Sequence, residues 1–210
     1  MNPKDPAAIT DERLVERYLE GDPDAFRVII DRYHDDLMRF LRRMTGSHAL
    51  AEDVFQDTFL QIHSSLTTFD TSRRFKPWLF TIAANKARDA LRRAKRRKAH
   101  SLDAAASEDG PAFVDLMALD LPGPDFPMED EERNALVQQA LDAVPLHQRE
   151  ILLLAYFQKL SYQQIADVFE IPLGTVKSRL HAAVAAFAKR WQQQSSARRH
   201  RHRHGSESDR

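Results

Sequence analysis

SYQQIADVFEIPLGTVKSRLHAAVAAFAKR, residues 161–190, decides the fold of the second half of this chain. It reads as two short helices with a tight break between them. Ile165 and Ala166 share one face of the first helix, and Val176, Leu180, Val184 and Phe187 recur at helical spacing on the second. Pro172 suits the first turn of a helix, where its missing N–H costs nothing. Gly174, Thr175, Lys177, Ser178, Arg179 and His181 are left on or near the exposed start of that helix. Small, hydroxyl and cationic side chains arranged in this way can enter a major groove and meet phosphates and base edges. A plain amphipathic hairpin with a solvated charged face would share the pattern. The small Ala166, ten residues before the apolar Val176, favours the tight crossing of a helix-turn-helix, and DNA binding is the expected role.

Upstream, the same periodicity organises the rest of the chain. Asp11 to Glu20 reads as a short helix ending at Gly21. Asp22 or Asp24 can cap the next, which runs through Phe26, Ile29, Ile30, Tyr33, Leu37, Phe40 and Leu41 to Gly46. Ser47 opens a third helix bearing Leu50, Val54, Phe55, Phe59, Leu60 and Ile62. A polar turn from Thr67 to Arg74 contains Phe69, and a fourth helix starts around Pro77–Trp78 and runs into the basic RRAKRRK. Trp78 and Ile82, one helical turn apart, are expected in the core. Residues 99–130 are rich in Ala, Asp and Pro and read as a linker. A helix through Leu136, Ala140, Leu141 and Val144 stops at Pro145, and Leu146 to Phe157 forms another before the helix-turn-helix. No convincing strand pattern appears. The expected fold is all-α: two small helical domains, residues 1–98 and 131–194, joined by a flexible acidic linker over 99–130, with a disordered basic, His-rich tail over 195–210.

The 210 residues carry 31 cationic and 31 acidic side chains, so the formal charge is zero. That neutrality conceals a segregation. Lys86, Arg88, Arg92, Arg93, Lys95, Arg96, Arg97 and Lys98 face only Asp89 over residues 86–98, whereas residues 101–132 hold ten acids and no Lys or Arg. There is no cysteine, which excludes disulfides and thiolate metal sites. The N-terminal MNPKDPAAITDERL lacks the apolar core of a signal peptide, and ILLLAYF is far too short to span a bilayer. A cytoplasmic protein without stable membrane insertion is expected. No Gly-rich phosphate loop, cysteine nucleophile or convincing metal cluster is present, so neither a cofactor nor an enzymatic activity is expected.

AEDVFQDTFLQ (51–61), FKPWLFTIAANKARDALRR (75–93) and LSYQQIADVFEIPLGTVKSRL (160–180) together resemble bacterial RNA polymerase sigma factors of the sigma-70 family, extracytoplasmic-function type. The resemblance covers nearly all of 11–191. The helix-turn-helix alone would also fit response-regulator output domains; its combination with the two upstream motifs is specific. The resemblance implies a polymerase subunit whose first domain docks on the clamp helices of the largest subunit and recognises the promoter −10 element. The second domain would pack on the flap of the next largest subunit and read the −35 element. An anti-sigma partner is a further implication.

Carried over residue by residue, the resemblance makes Asp53, Gln56 and Asp57 the polymerase-docking contacts, although a solvated helix face would look the same. The 67–74 turn with Phe69, Asn85 and the cations Arg88, Arg92 and Arg93 would hold the melted −10 strand. Arg and Lys neutralise phosphate, and aromatics and pockets hold an unstacked base. Thr175, Lys177, Ser178, Arg179 and His181 are the −35 candidates, with base-reading and phosphate-binding members undecided. Ser161 is expected to cap its helix, with Tyr162 and Gln163 near backbone phosphates. Arg149 lies where the family supports flap binding, against a competing core role. RRHRHRHG (198–205) admits three readings: a DNA-attracting tail, a weak metal tract, or a feature without consequence. A stand-alone helix-turn-helix regulator is the alternative function, and it leaves the first domain's motif unexplained. A nuclease is a third, with no shared motif to support it.

Overall fold

The computed structural model describes residues 9–99 and 131–205, with side chains over 9–97 and 134–193. The expected linker between 100 and 130 and the end of the tail lie outside the described residues. Every regular element among them is helical: α1 Asp11–Leu19, α2 Pro23–Thr45, α3 His48–Ser65 with a 3₁₀ turn at Leu66–Thr68, and α4 Phe75–Ala99. These are followed by α5 Glu131–Asp142, α6 Leu146–Tyr156, α7 Tyr162–Phe169 and α8 Leu173–Gly205. One compact unit holds α1 to α4 and takes in residues 163–171; the other holds α5, α6 and α8.

The helix boundaries of the first unit follow from local chemistry. Thr10 accepts the Arg13 amide at 3.3 Å and so caps α1. Asp22, rather than Asp24, caps α2 by accepting the Asp24 amide at 3.1 Å, with Pro23 just inside the helix. Gly46 ends α2 in the left-handed conformation, φ +67°, which costs a residue without Cβ little. Ser47 restarts the chain as the cap of α3, accepting the Leu50 amide at 3.3 Å.

Packing then joins these helices. α2 lies against α1, α3 and α4, and α3 lies against α4. Ile29, Leu37, Phe40 and Leu41 of α2 are almost fully buried, as are Val54 and Ile62 of α3. Phe40 meets Phe80 edge-on, ring centres 5.3 Å apart. α4 begins at Phe75, earlier than the sequence suggested, so Pro77 sits inside its first turn. Its buried face is Phe75, Leu79, Phe80, Ala83, Ala84, Ala87 and Ala90. Trp78 and Ile82 are only half-buried, contrary to the core role expected of them. The reason is that alanines carry most of the buried stripe. They let α4 approach its neighbours closely, and a reading weighted toward large apolar side chains selects the wrong face.

In the second unit α8 packs on α6 and α5. Ile151, Leu152, Leu153 and Leu154 of α6 are all buried in succession, as expected for a helix covered on more than one side. Val176, Leu180, Val184 and Phe187 of α8 are buried at the spacing read from the sequence. Arg149 makes structural contacts. Its guanidinium donates to Asp142 Oδ1 at 3.0 Å and to the Val144 carbonyl at 3.4 Å, tying α6 to the turn after α5. Burial pushes its pKa down, but an arginine so placed remains cationic. α8 continues to Gly205, past residue 194 where the sequence reading ended the domain. No Pro or Gly interrupts the chain before Gly205, so nothing local stops the helix.

Candidate nucleic-acid and protein interface

Asp53, Gln56 and Asp57 are all exposed on α3, one helical turn apart on a common face. Leu60 belongs with them. It is 67% exposed, the most exposed large apolar side chain among the described residues. Its position follows from spacing, since 53, 57 and 60 are four and three residues apart. The buried face of α3 instead runs through Ala51, Val54, Thr58, Phe59 and Ile62. Thr58 is tolerated there because its hydroxyl donates to the Val54 carbonyl at 2.6 Å. Leu60 thus joins Asp53, Gln56 and Asp57 on one exposed face of α3.

The seam between α3 and α4 opens into a groove of about 290 Å³. Leu50, Asp53, Val54, Gln56 and Asp57 line one wall, and Ala90, Arg93 and Arg97 line the other. Arg93 stands 4.0 Å from Asp57, with both side chains about half exposed. Further along, the Lys86 ammonium donates to Gln61 Oε1 at 3.3 Å. Arg93 is therefore on the α3 side of its helix, beside the polar triad, while the other α4 candidates point elsewhere.

Trp78, Ile82, Asn85, Asp89 and Arg92 follow one another at three- and four-residue steps and share the outward face of α4. Asn85 and Arg92 are exposed, and Arg88 is half-buried. Arg92 lies 3.8 Å from Asp89, an exposed pair worth little in stability. The stripe starts beneath the 67–74 turn. The half-buried Phe69 packs its ring 4.6 Å from Trp78 and edge-on to Phe75 at 5.7 Å, so it anchors the turn to the start of α4. Trp78 is a contributor to this outward face that the sequence reading missed. The signal was present in its spacing from Asn85, but indole size argued for the core.

The turn itself is held by its own polar residues. Asp70 Oδ1 accepts the Ser72 amide at 3.0 Å and the Ser72 hydroxyl at 2.7 Å, an Asx turn. The Ser72 hydroxyl, and then its amide, hold the Asp70 carboxyl below the usual carboxylate range. A group depressed in the folded state stabilises above its unfolded pKa, and that contribution fades as pH falls through the folded pKa. Ser72→Ala is expected to move the Asp70 titration midpoint upward, read by carboxyl-carbon NMR. An unmoved midpoint would dissociate Ser72 from the turn's charge.

On α8, Thr175 and Arg179 are half-buried, and Lys177, Ser178 and His181 are exposed. The Ser178 hydroxyl donates to the Thr175 carbonyl at 3.1 Å and keeps its oxygen available as an acceptor. Before α8, Glu170 takes φ +51°, a left-handed position that ends α7 and turns the chain toward Pro172. Ile165 and Ala166 of α7 are buried. Tyr162 is 44% exposed at the start of α7, and Gln163 donates to Asp167 at 2.8 Å on its surface. No cluster of His, Asp or Glu suited to holding a metal occurs among the described residues, and none of their helices is long and apolar enough to cross a membrane.

Comparison with known proteins gives these surfaces a context. Residues 29–97 match the family model Sigma-70 region 2, and residues 134–187 match Sigma-70, region 4. The chain is 31% identical over 179 residues to the ECF RNA polymerase sigma factor SigW of Bacillus subtilis, covering 85% of this chain and 95% of that one. It is 35% identical over 180 residues to the RNA polymerase sigma-H factor of Pseudomonas aeruginosa, covering 85% and 92%. The fold resembles that of the sigma factor RpoE from Bartonella quintana, solved in complex with the anti-sigma factor NepR. That match has a TM-score of 0.60 at 24% identity and covers 80% of this chain and 96% of the other.

Proposed function

The chain belongs to the sigma-70 family of bacterial RNA polymerase sigma factors, of the extracytoplasmic-function type, and on that premise we propose how it binds core polymerase and directs promoter-specific initiation. The observation that carries this reading is the occurrence of both family regions, in order, along one chain. Residues 1–98 form the part that docks on the clamp of the largest subunit and holds the −10 element. Residues 131–194 form the part that sits on the flap of the next largest subunit and reads the −35 element. Sigma factors are non-enzymatic initiation factors, and we assign this chain no catalysis of its own.

Asp53, Gln56 and Asp57 meet basic and polar groups on the clamp, with Leu60 supplying the apolar centre of that contact. The outward stripe of α4 follows the non-template strand. Asn85 contacts a base extruded near the 67–74 turn, Phe69 buttresses that turn, and Arg88 and Arg92 neutralise phosphates. Arg93 stands where the docking face and the basic helix meet, and it takes phosphate from the seam side. Thr175, Lys177, Ser178, Arg179 and His181 present the recognition helix to the −35 major groove. Binding energy at two separated elements stabilises the melted −10 segment. An anti-sigma factor that covers the polymerase- or DNA-facing surfaces completes the set of partners, and the cytoplasm is the site of action.

The test is a pull-down of the purified chain with sigma-free core polymerase, followed by transcription from a genomic promoter pool. Stoichiometric binding with initiation at a narrow promoter set is expected. Specific DNA retention by the chain alone, without polymerase binding, would replace this reading with a stand-alone regulator.

A further inference from the structure

The start of α4 has no local means of satisfying its own amides. It is preceded by Arg73 and Arg74, which offer donors and no side-chain acceptor, and its first turn contains no acid. Two cations at the positive end of a helix dipole are also electrostatically adverse. The deficit is made good from the far end of the unit. Glu12 of α1 reaches across the fold, and its Oε1 accepts the Phe75 amide at 3.0 Å. This is a capping contact between residues 63 positions apart in the chain.

Neighbouring residues hold Glu12 in place. Asp11, beside it, pairs with Arg32 of α2 and accepts the Tyr33 hydroxyl. Arg32 also donates to the Ile9 carbonyl at 3.0 Å, fixing the entry to α1. Burial, and then the bond to Asp11, push the Tyr33 hydroxyl's pKa far up, so it remains a donor. The Tyr33 ring in turn packs 5.9 Å from Phe75, the residue whose amide Glu12 caps. Asp11 and Glu12 therefore converge on Phe75 through side chain and backbone at once. Phe75 touches Phe69 and Trp78, which hold the 67–74 turn against the outward stripe.

We propose that Glu12 is a positioning residue for promoter opening: it clamps the first turn of α4 so that the 67–74 turn, Trp78 and Asn85 are presented in register to the −10 strand. This rests on the sigma-factor reading above. It concerns strand capture alone, since Asp53, Gln56 and Asp57 lie on α3 and do not depend on the cap. A helix whose first turn frays would still dock on polymerase and would still accept a strand that is already single. It would lose the preorganised grip needed to trap a base as the duplex breathes.

The test uses holoenzyme assembled with wild-type, Glu12→Ala or Glu12→Gln chain, on one promoter in two forms: intact duplex and a template premelted across the −10 element. Open complexes are read by permanganate footprinting, and core-polymerase affinity is measured alongside. Glu12→Ala is expected to reduce opening of the duplex by about tenfold, the scale set by losing a helix cap. It should stay within about twofold of wild type on the premelted template and in polymerase affinity. Glu12→Gln keeps an acceptor oxygen but not the charge, and its duplex defect is expected near threefold, roughly the scale of one charge–dipole contact. Duplex opening at the wild-type level in both variants overturns the inference, as does an equal loss on both templates. Wild-type holoenzyme silent on both templates would instead remove the sigma-factor reading, and this inference with it.

Discussion

Reversing the charge of Asp53 and Asp57 together is expected to weaken binding to core RNA polymerase by about 100-fold or more, while leaving helical content and thermal stability almost unchanged. The two carboxylates share an exposed face of α3 with Gln56 and Leu60. Among the described residues, Asp57 has only a long contact with Arg93, 4.0 Å between half-exposed groups. Such a pair contributes about 0–1 kcal/mol to folding before screening. Opposite a basic partner surface, by contrast, each reversal replaces an attraction by a repulsion and strands a charge on the other side. The losses at one interface compound into several kcal/mol. Equilibrium binding to sigma-free core polymerase, beside far-UV circular dichroism, separates the two effects. Unchanged affinity in a folded double variant would remove both residues from the interface.

How much of this was legible before the structure depends on which physical signal each residue carries. Capping chemistry was readable at once. Gly46 and Ser47 end and restart the chain where a left-handed cap and a hydroxyl acceptor are needed, and the buried stripe of α8 fell at its expected residues. Faces were harder wherever size and position disagreed. Trp78, Ile82 and Leu60 are large and apolar, and the expected core held the first two. Trp78 and Ile82 are half-buried and Leu60 is exposed, because alanines and Thr58 occupy the buried positions instead. Long-range polar contacts were not legible at all. Nothing in the segment DERLVERYL marks Glu12 as the cap of a helix starting at Phe75, because that pairing exists only once α1 has packed beside α4. Arg149 shows the intermediate case: a charged residue before an apolar helix fits docking or burial equally well. Its bonds to Asp142 and Val144, which tie α6 to the turn after α5, became visible only in the fold.

Lys177→Ala and Arg179→Ala are expected to fail in different ways, and the difference assigns the −35 reader. Residues two apart on a helix point about 200° apart, so Lys177 and Arg179 cannot both face the floor of a groove. Ser178 lies between them, opposite the buried Val176, Leu180 and Phe187, and it marks the crown of the helix. The two cations therefore stand on opposite flanks. Lys177 is exposed, a flexible point charge suited to phosphate. Arg179 is half-buried, so its planar fork is held at less entropic cost and suits bidentate contact with a guanine edge. Removing Lys177 should weaken every −35 sequence alike and lower the salt dependence of binding by about one unit of slope. Removing Arg179 should cost about 1–3 kcal/mol, roughly 5- to 150-fold, at a single base-pair position and relax discrimination there. Holoenzyme binding across a −35 library at several salt concentrations reads both quantities together. A sequence-independent loss for both variants would make Arg179 a second phosphate clamp and leave base reading to Thr175, Ser178 and His181, whose short side chains demand a closer approach of the helix to the groove floor.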